Sequence, residues 1–180
     1  MQLESLPTPV AEMLARLAAP PRLVAHLRLV HDLACQLIER LDAAWPALIY
    51  DRAAVRFGAA THDIGKILHP NELAGPGHQH EASGEALLLA QGVSASDARF
   101  ARTHGMRGEQ IVILDDALVA LADSWWRGRR DEALETTICQ LIAMQTHTPQ
   151  WRIFLTLDEI ATDLTAEADA RLRWQNQHTI

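Results

Sequence analysis

The chain has 180 residues, 48% of them hydrophobic, and a formal net charge of -7. This length suits one sizeable apolar core and not two, so we expect a single domain. The acidic balance argues against broad, charge-driven binding to nucleic acid, although a local concentration of positive charge could still hold a small anion.

The first half of the chain reads as helices. Residues 1–14 lack the basic start and unbroken apolar stretch of an export signal, so we expect a cytoplasmic protein. From Pro21 to Leu41, apolar residues recur every three to four positions, which predicts a long amphipathic helix that ends before Trp45-Pro46. Asp51 suits the N-cap of a second helix, predicted to end at Gly65.

Residues 68–79 hold two prolines and two glycines besides Asn71, which predicts a loop. Helical patterns then return, and no strand pattern, internal repeat or membrane span is expected. We predict an all-helical bundle with a core at about 21–130 and a C-terminal helical extension at about 131–175. The predicted helices are 80–90, a short one from 94 to about 105, 109–126, 131–146 and 157–174.

The chain has two cysteines and nine histidines, the residue types to consider first for disulfides and metal binding. Cys35 and Cys139 lie inside apolar helical patterns, without the spacing of a metal pair or a disulfide framework, so we expect buried, reduced thiols. Six residues at helix ends or inward helix edges form an ordered series of possible metal ligands: His26, His62, Asp63, His80, His104 and Asp123. Helical bundles commonly build metal sites from such inward side chains.

The adjacent pair His62-Asp63 is the centre of this series. Neighbouring residues of one helix point about 100° apart, so both can bind metal only if it lies between their directions. A carboxylate that bridges two ions, beside an imidazole that binds one, satisfies this condition.

Three separated segments resemble the HD-domain family of metal-dependent phosphohydrolases. Residues 59–66 (AATHDIGK) look like its defining helix, residues 22–34 resemble its first ligand helix, and residues 118–123 (LVALAD) are similar to the helix that supplies its last aspartate. The segments occur in the family's order and cover about 22–130, whereas a lone His-Asp pair would be a weak signal.

The resemblance implies an all-helical HD fold with a binuclear centre. His26, His62, Asp63 and Asp123 would hold the first metal. The extra histidines of the binuclear branch look like His80 and His104, which would bind a second metal, with Asp63 as the bridge. Some nucleotidases of the family carry a catalytic glutamate three residues after the doublet, but this chain has Lys66 there.

These residues predict hydrolysis of a phosphomonoester or phosphodiester, with a small nucleotide as the expected substrate and nucleic acid disfavoured. Mixed imidazole and carboxylate ligands accept Mn²⁺, Fe²⁺, Ni²⁺ or Mg²⁺. Two such ions activate water and polarise a phosphoryl oxygen. Asp63 and Lys66 are the candidate catalytic residues, Lys66 as a point charge for the substrate phosphate.

Several assignments stay open at this stage. His31 competes with His26, and His78 with His80. A basic cluster follows Asp123 and either binds phosphate or forms a solvated helix end: Arg127, Arg129 and Arg130. The tandem tryptophans Trp125-Trp126 either stack on a nucleobase or pack in the core. The rival functions are a di-iron oxygenase resembling myo-inositol oxygenase, and a non-catalytic sensor or interaction module.

Overall fold

The computed structural model describes residues 2–106 and 113–179, and within these ranges the chain is helical without a strand. The prediction of an all-helical bundle is confirmed. Two short 3-10 helices cover Ile64–Ile67 and Pro70–Leu73. The α-helices are α1 (Thr8–Arg16), α2 (Pro21–Ala44), α3 (Arg52–Thr61), α4 (Gln79–Ala90), α5 (Ala95–Ala98), α6 (Phe100–Thr103), α7 (Leu114–Trp125), α8 (Glu132–Thr146), α9 (Gln150–Thr165) and α10 (Ala168–Gln175).

Helix α2 lies at the centre of the bundle and packs against α3, α7 and α9. It begins with Pro21 in its first turn and buries thirteen of its residues. The main apolar cluster takes residues from α2, α3, α7, α8 and α9, so the predicted C-terminal extension packs on the same core as the rest. A second cluster joins α1, the start of α2 and the helices around the first 3-10 helix. None of the described helices combines the length and apolar character that crossing a bilayer requires.

The second predicted helix ends earlier than expected. Asp51 caps α3 as predicted, since its side chain accepts hydrogen bonds from the backbone of Ala53 and Ala54. The α-helix stops at Thr61, however, and after His62 and Asp63 the chain tightens into the first 3-10 helix. The His62-Asp63 pair therefore lies just beyond a helix end, not inside a helix.

Gly65 does not terminate that helix through a left-handed conformation. A Cβ atom at Gly65 would overlap the backbone carbonyl of His80, so the glycine allows the first 3-10 helix to approach α4 closely. This approach brings the segment that carries Asp63 against the helix that carries His80.

Other boundaries also differ from the prediction. Helix α1 was not anticipated, and the predicted loop at 68–79 contains a 3-10 turn. The predicted helix 109–126 is described from Leu114 onward, while 109–112 lie outside the described residues. The predicted helix 157–174 is two helices, because the chain turns after Thr165; the buried Arg171 guanidinium donates to the carbonyl of Leu164 beside that turn. Both cysteines are free and buried, as predicted.

Candidate metal centre

Five parts of the fold bring the six predicted ligand residues together. Helix α2 supplies His26, the turn after α3 supplies His62 and Asp63, and the first turn of α4 supplies His80. His104 follows α6, and Asp123 lies near the end of α7. Their ligand atoms form two groups, in each of which all atoms lie within 4.8 Å of one another: His26, His62 and Asp123, and Asp63, His80 and His104. Each group could hold a metal ion.

Asp63 joins the two groups. Its Oδ2 lies 3.1 Å from His26 Nε2 and 3.7 Å from His62 Nε2. Its Oδ1 lies 3.1 Å from His80 Nε2 and 3.4 Å from His104 Nε2. The two oxygens of one buried carboxylate therefore face two different pairs of imidazoles, as a bridging ligand would.

The imidazole nitrogens within each pair also lie close together. His26 Nε2 and His62 Nε2 are 3.1 Å apart, and Asp123 Oδ1 lies 3.4 Å from both. His80 Nε2 and His104 Nε2 are 3.4 Å apart. Neutral imidazoles present a lone pair at the unprotonated nitrogen, so such a pair is stabilised by a cation or a proton between its nitrogens. The donor set fits a divalent cation.

Backbone carbonyls fix the orientation of two of these rings. The Nδ1 of His62 lies 3.0 Å from the carbonyl oxygen of Ala59, and the Nδ1 of His104 lies 2.9 Å from that of Ala101. A carbonyl can only accept, so in each ring Nδ1 donates and Nε2 is left for a cation. Such outer hydrogen bonds are the usual support of metal-binding histidines.

His80 receives the same support from Glu72, which the sequence had not singled out. The Nδ1 of His80 lies 2.5 Å from Glu72 Oε2, and Glu72 also accepts from the backbone nitrogens of Gln79 and His80. A Cβ atom at Gly77 would overlap the Glu72 carboxylate. The available signal was an acidic residue in a breaker-rich segment just before a candidate ligand, but no helical spacing links the two positions.

The centre favours charged carboxylates despite its burial. Burial alone would raise the pKa of Asp63, but the charge of His62 and hydrogen bonds from His104, His26 and His80 outweigh it and hold that pKa well below its usual range. The pKa of Asp123 is likewise lowered: burial opposes the shift, and the hydrogen bond and charge of His62 outweigh burial. Both groups are therefore anionic at neutral pH and available to cations.

Lys66 contacts the centre directly. Its Nζ lies 2.5 Å from Asp63 Oδ2, so the ammonium pairs directly with a candidate ligand. Two cavities of about 250 and 270 Å³ open beside it, and both are lined by His26, Asp63, Lys66, Trp126 and Arg127. The centre is thus reachable by a small molecule.

The competing histidines lie elsewhere. His31 is buried against Cys35, and burial lowers its pKa to about 4. The His78 side chain is 88% exposed and pairs with Glu81 at the outer wall of the second cavity. The structure therefore brings His26 and His80 into the centre, and not these two neighbours.

The aromatic and basic residues after Asp123 have different surroundings. Trp125 and Trp126 are buried, which supports core packing over base stacking. Arg130 forms ion pairs with Glu135 and Asp158, away from the centre. Arg127 lines both cavities, whereas Arg129 lines neither.

Comparisons of the chain with protein-family models, curated proteins and solved structures find no match.

Proposed function

We propose that the chain is a metal-dependent phosphohydrolase that cleaves a phosphomonoester or phosphodiester, with a nucleotide as the preferred substrate. One observation carries this proposal: the two oxygens of Asp63 face two separate imidazole pairs. A carboxylate in this position suits a pair of cations, and paired cations are a common solution to phosphoester hydrolysis.

The donor atoms agree with hard or borderline divalent cations. His26, His62 and Asp123 would hold one ion, His80 and His104 would hold the other, and Asp63 would contribute an oxygen to each. Imidazole and carboxylate ligands without a thiolate favour Mn²⁺, Fe²⁺, Ni²⁺ or Mg²⁺ over soft metals. When bound, such ions supply Lewis acidity and lower the pKa of water.

The chain's own residues orient and neutralise the reactants. The Nδ1 atoms of His62, His80 and His104 form hydrogen bonds outside the centre. These bonds hold each Nε2 toward the centre, so the rings need little reorganisation during the reaction. Lys66 lines the cavity beside Asp63, where its ammonium can bind a phosphate oxygen. The buried Asp63 carboxylate stays negatively charged and can therefore bind cations.

The test is hydrolysis by metal-free and metal-reconstituted protein. The protein is stripped with a chelator, reloaded separately with each of the four ions, and assayed for phosphate release from a panel of nucleotides and from p-nitrophenyl phosphate. We expect activity only after reloading, with two ions bound per chain. His62→Gln should abolish it, whereas His147→Asn, at an exposed position with a left-handed backbone, should not. Full activity of the stripped protein would refute the proposal, and oxygen consumption by the iron-loaded protein would favour the oxygenase.

A further inference from the structure

The cavity of about 250 Å³ beside the metal centre has an unusual charge for this acidic chain. Three cationic side chains line it, Arg22 from α2, Lys66 from the first 3-10 helix and Arg127 just after α7. Among the described residues, the one acidic side chain in its wall is Asp63, which belongs to the centre. The second cavity differs, since Asp63, Glu81 and Asp123 all line it.

Two of these cations have no acidic partner in the part of the chain that the structure describes. Arg22 donates to the neutral side chain of Asn176, at 3.2 Å, and forms no ion pair within the described residues. Arg127 is exposed, and no carboxylate of 2–106 or 113–179 pairs with it. Uncompensated guanidinium groups that converge on one cavity create a local positive potential, which attracts anions even when the whole protein is acidic.

A further residue of the cavity wall, Trp126, has a polar group without a hydrogen-bond partner in residues 2–106 and 113–179. Trp126 is 4% exposed, and its indole N–H has no acceptor among the described residues. The nitrogen itself is inaccessible, so a ligand in the cavity would contact the indole ring and not its N–H. The rest of the wall includes Leu172 and Gln175 of α10, which offer an apolar contact and an amide.

We propose that this cavity is an anion subsite of the active centre, and that the preferred substrate carries a second anionic group besides the phosphate that is hydrolysed. The inference rests on the proposed phosphohydrolase function. One phosphate would lie on the metal centre beside Lys66, and the second anionic group would lie between Arg22 and Arg127. The cavity volume equals that of about eight water molecules at about 30 Å³ each, so the second group and its linker are compact.

The test compares two probes that differ by one phosphate, adenosine 5′-monophosphate and adenosine 3′,5′-bisphosphate. Binding to the Mn²⁺-loaded protein is measured by calorimetry, and hydrolysis by phosphate release. We expect the bisphosphate to bind at least about tenfold more tightly, since one charge-assisted contact is worth that much. Arg22→Gln and Arg127→Gln, as two independent variants, should each reduce the ratio of the two affinities several-fold.

Arg129→Gln is the matched control, because it removes the same charge two residues away and outside the cavity. A ratio near one in the wild type, an unchanged ratio in both cavity variants, or an equal fall in Arg129→Gln would overturn the subsite. Failure of the two proposals is distinguishable. An arginine-dependent ratio without hydrolysis of any phosphoester would reject the phosphohydrolase and keep the anion subsite, whereas hydrolysis with a ratio of one would reject the subsite alone.

Discussion

Glu72→Gln should weaken one metal position and spare the other. The Glu72 carboxylate touches the Nδ1 of His80, and His80 belongs to the group with His104. The other group, His26 with its partners, has no contact with Glu72 within the described residues. The substitution removes the negative charge that fixes the His80 tautomer but keeps an oxygen that can accept from the backbone.

The expected loss is about ten- to a hundredfold in affinity for the second ion, the usual effect of removing an outer partner of a metal-binding histidine. The upper part of this range is favoured, because the 2.5 Å contact is short and the Glu72 side chain is only 10% exposed, so water replaces the carboxylate poorly. Glu72→Ala should cost more, since the backbone nitrogens of Gln79 and His80 also lose their acceptor.

The assay is a calorimetric titration of chelator-stripped protein with Mn²⁺, in which the two metal positions are fitted as separate sites. Glu85→Gln is the matched control, because Glu85 lies on α4, the helix that carries His80, but pairs with Arg102. Equal weakening of both ions, or no weakening of either, would show that Glu72 does not act through His80.

Three further predictions concern Asp63 as the bridging ligand, the close contact between Gly65 and α4, and the buried His31. Asp63→Asn should reduce metal-dependent hydrolysis about a hundredfold or more; an unchanged rate in the phosphate-release assay would exclude a bridging role. Gly65→Ala should destabilise the fold by about 1–3 kcal/mol through overlap with the His80 carbonyl, measured by urea unfolding, and an unaltered midpoint would argue against a tight contact. Burial lowers the pKa of His31 from 6.5 to about 4, so the unfolded chain binds the proton more readily and stability falls as pH drops through that window. Wild type should lose about 3 kcal/mol more than His31→Gln between pH 7 and pH 4, and identical pH profiles would contradict this.

Local sequence signals predicted much of the fold. The three-to-four-residue apolar spacing after Pro21 marked α2, and the N-cap residue Asp51 marked the start of α3. Each signal depends on residues within a turn or two of one another, so it can be read without knowledge of the rest of the chain.

The arrangement of the centre depends instead on how helices pack. The order of the six candidate ligands was visible, but the distances from Asp63 to its four histidines depend on the approach of α2, α4 and the first 3-10 helix. The contacts of Glu72 and Gly65 with His80 were not predicted for the same reason, because each residue reaches His80 from a different helix. Neither contact has a characteristic spacing in sequence.

Charge balance connects the centre with the adjoining cavity. Asp63 and Asp123 contribute two negative charges and Lys66 one positive charge, so these three groups together carry a single negative charge without cations. One divalent ion reverses that to a single positive charge, and two ions raise the surplus to three. A phosphate dianion is therefore attracted most strongly once both ions are held, and Arg22 and Arg127 extend the positive field into the cavity. Metal loading should thus strengthen phosphate binding, because each divalent ion adds two positive charges beside Asp63 and Asp123.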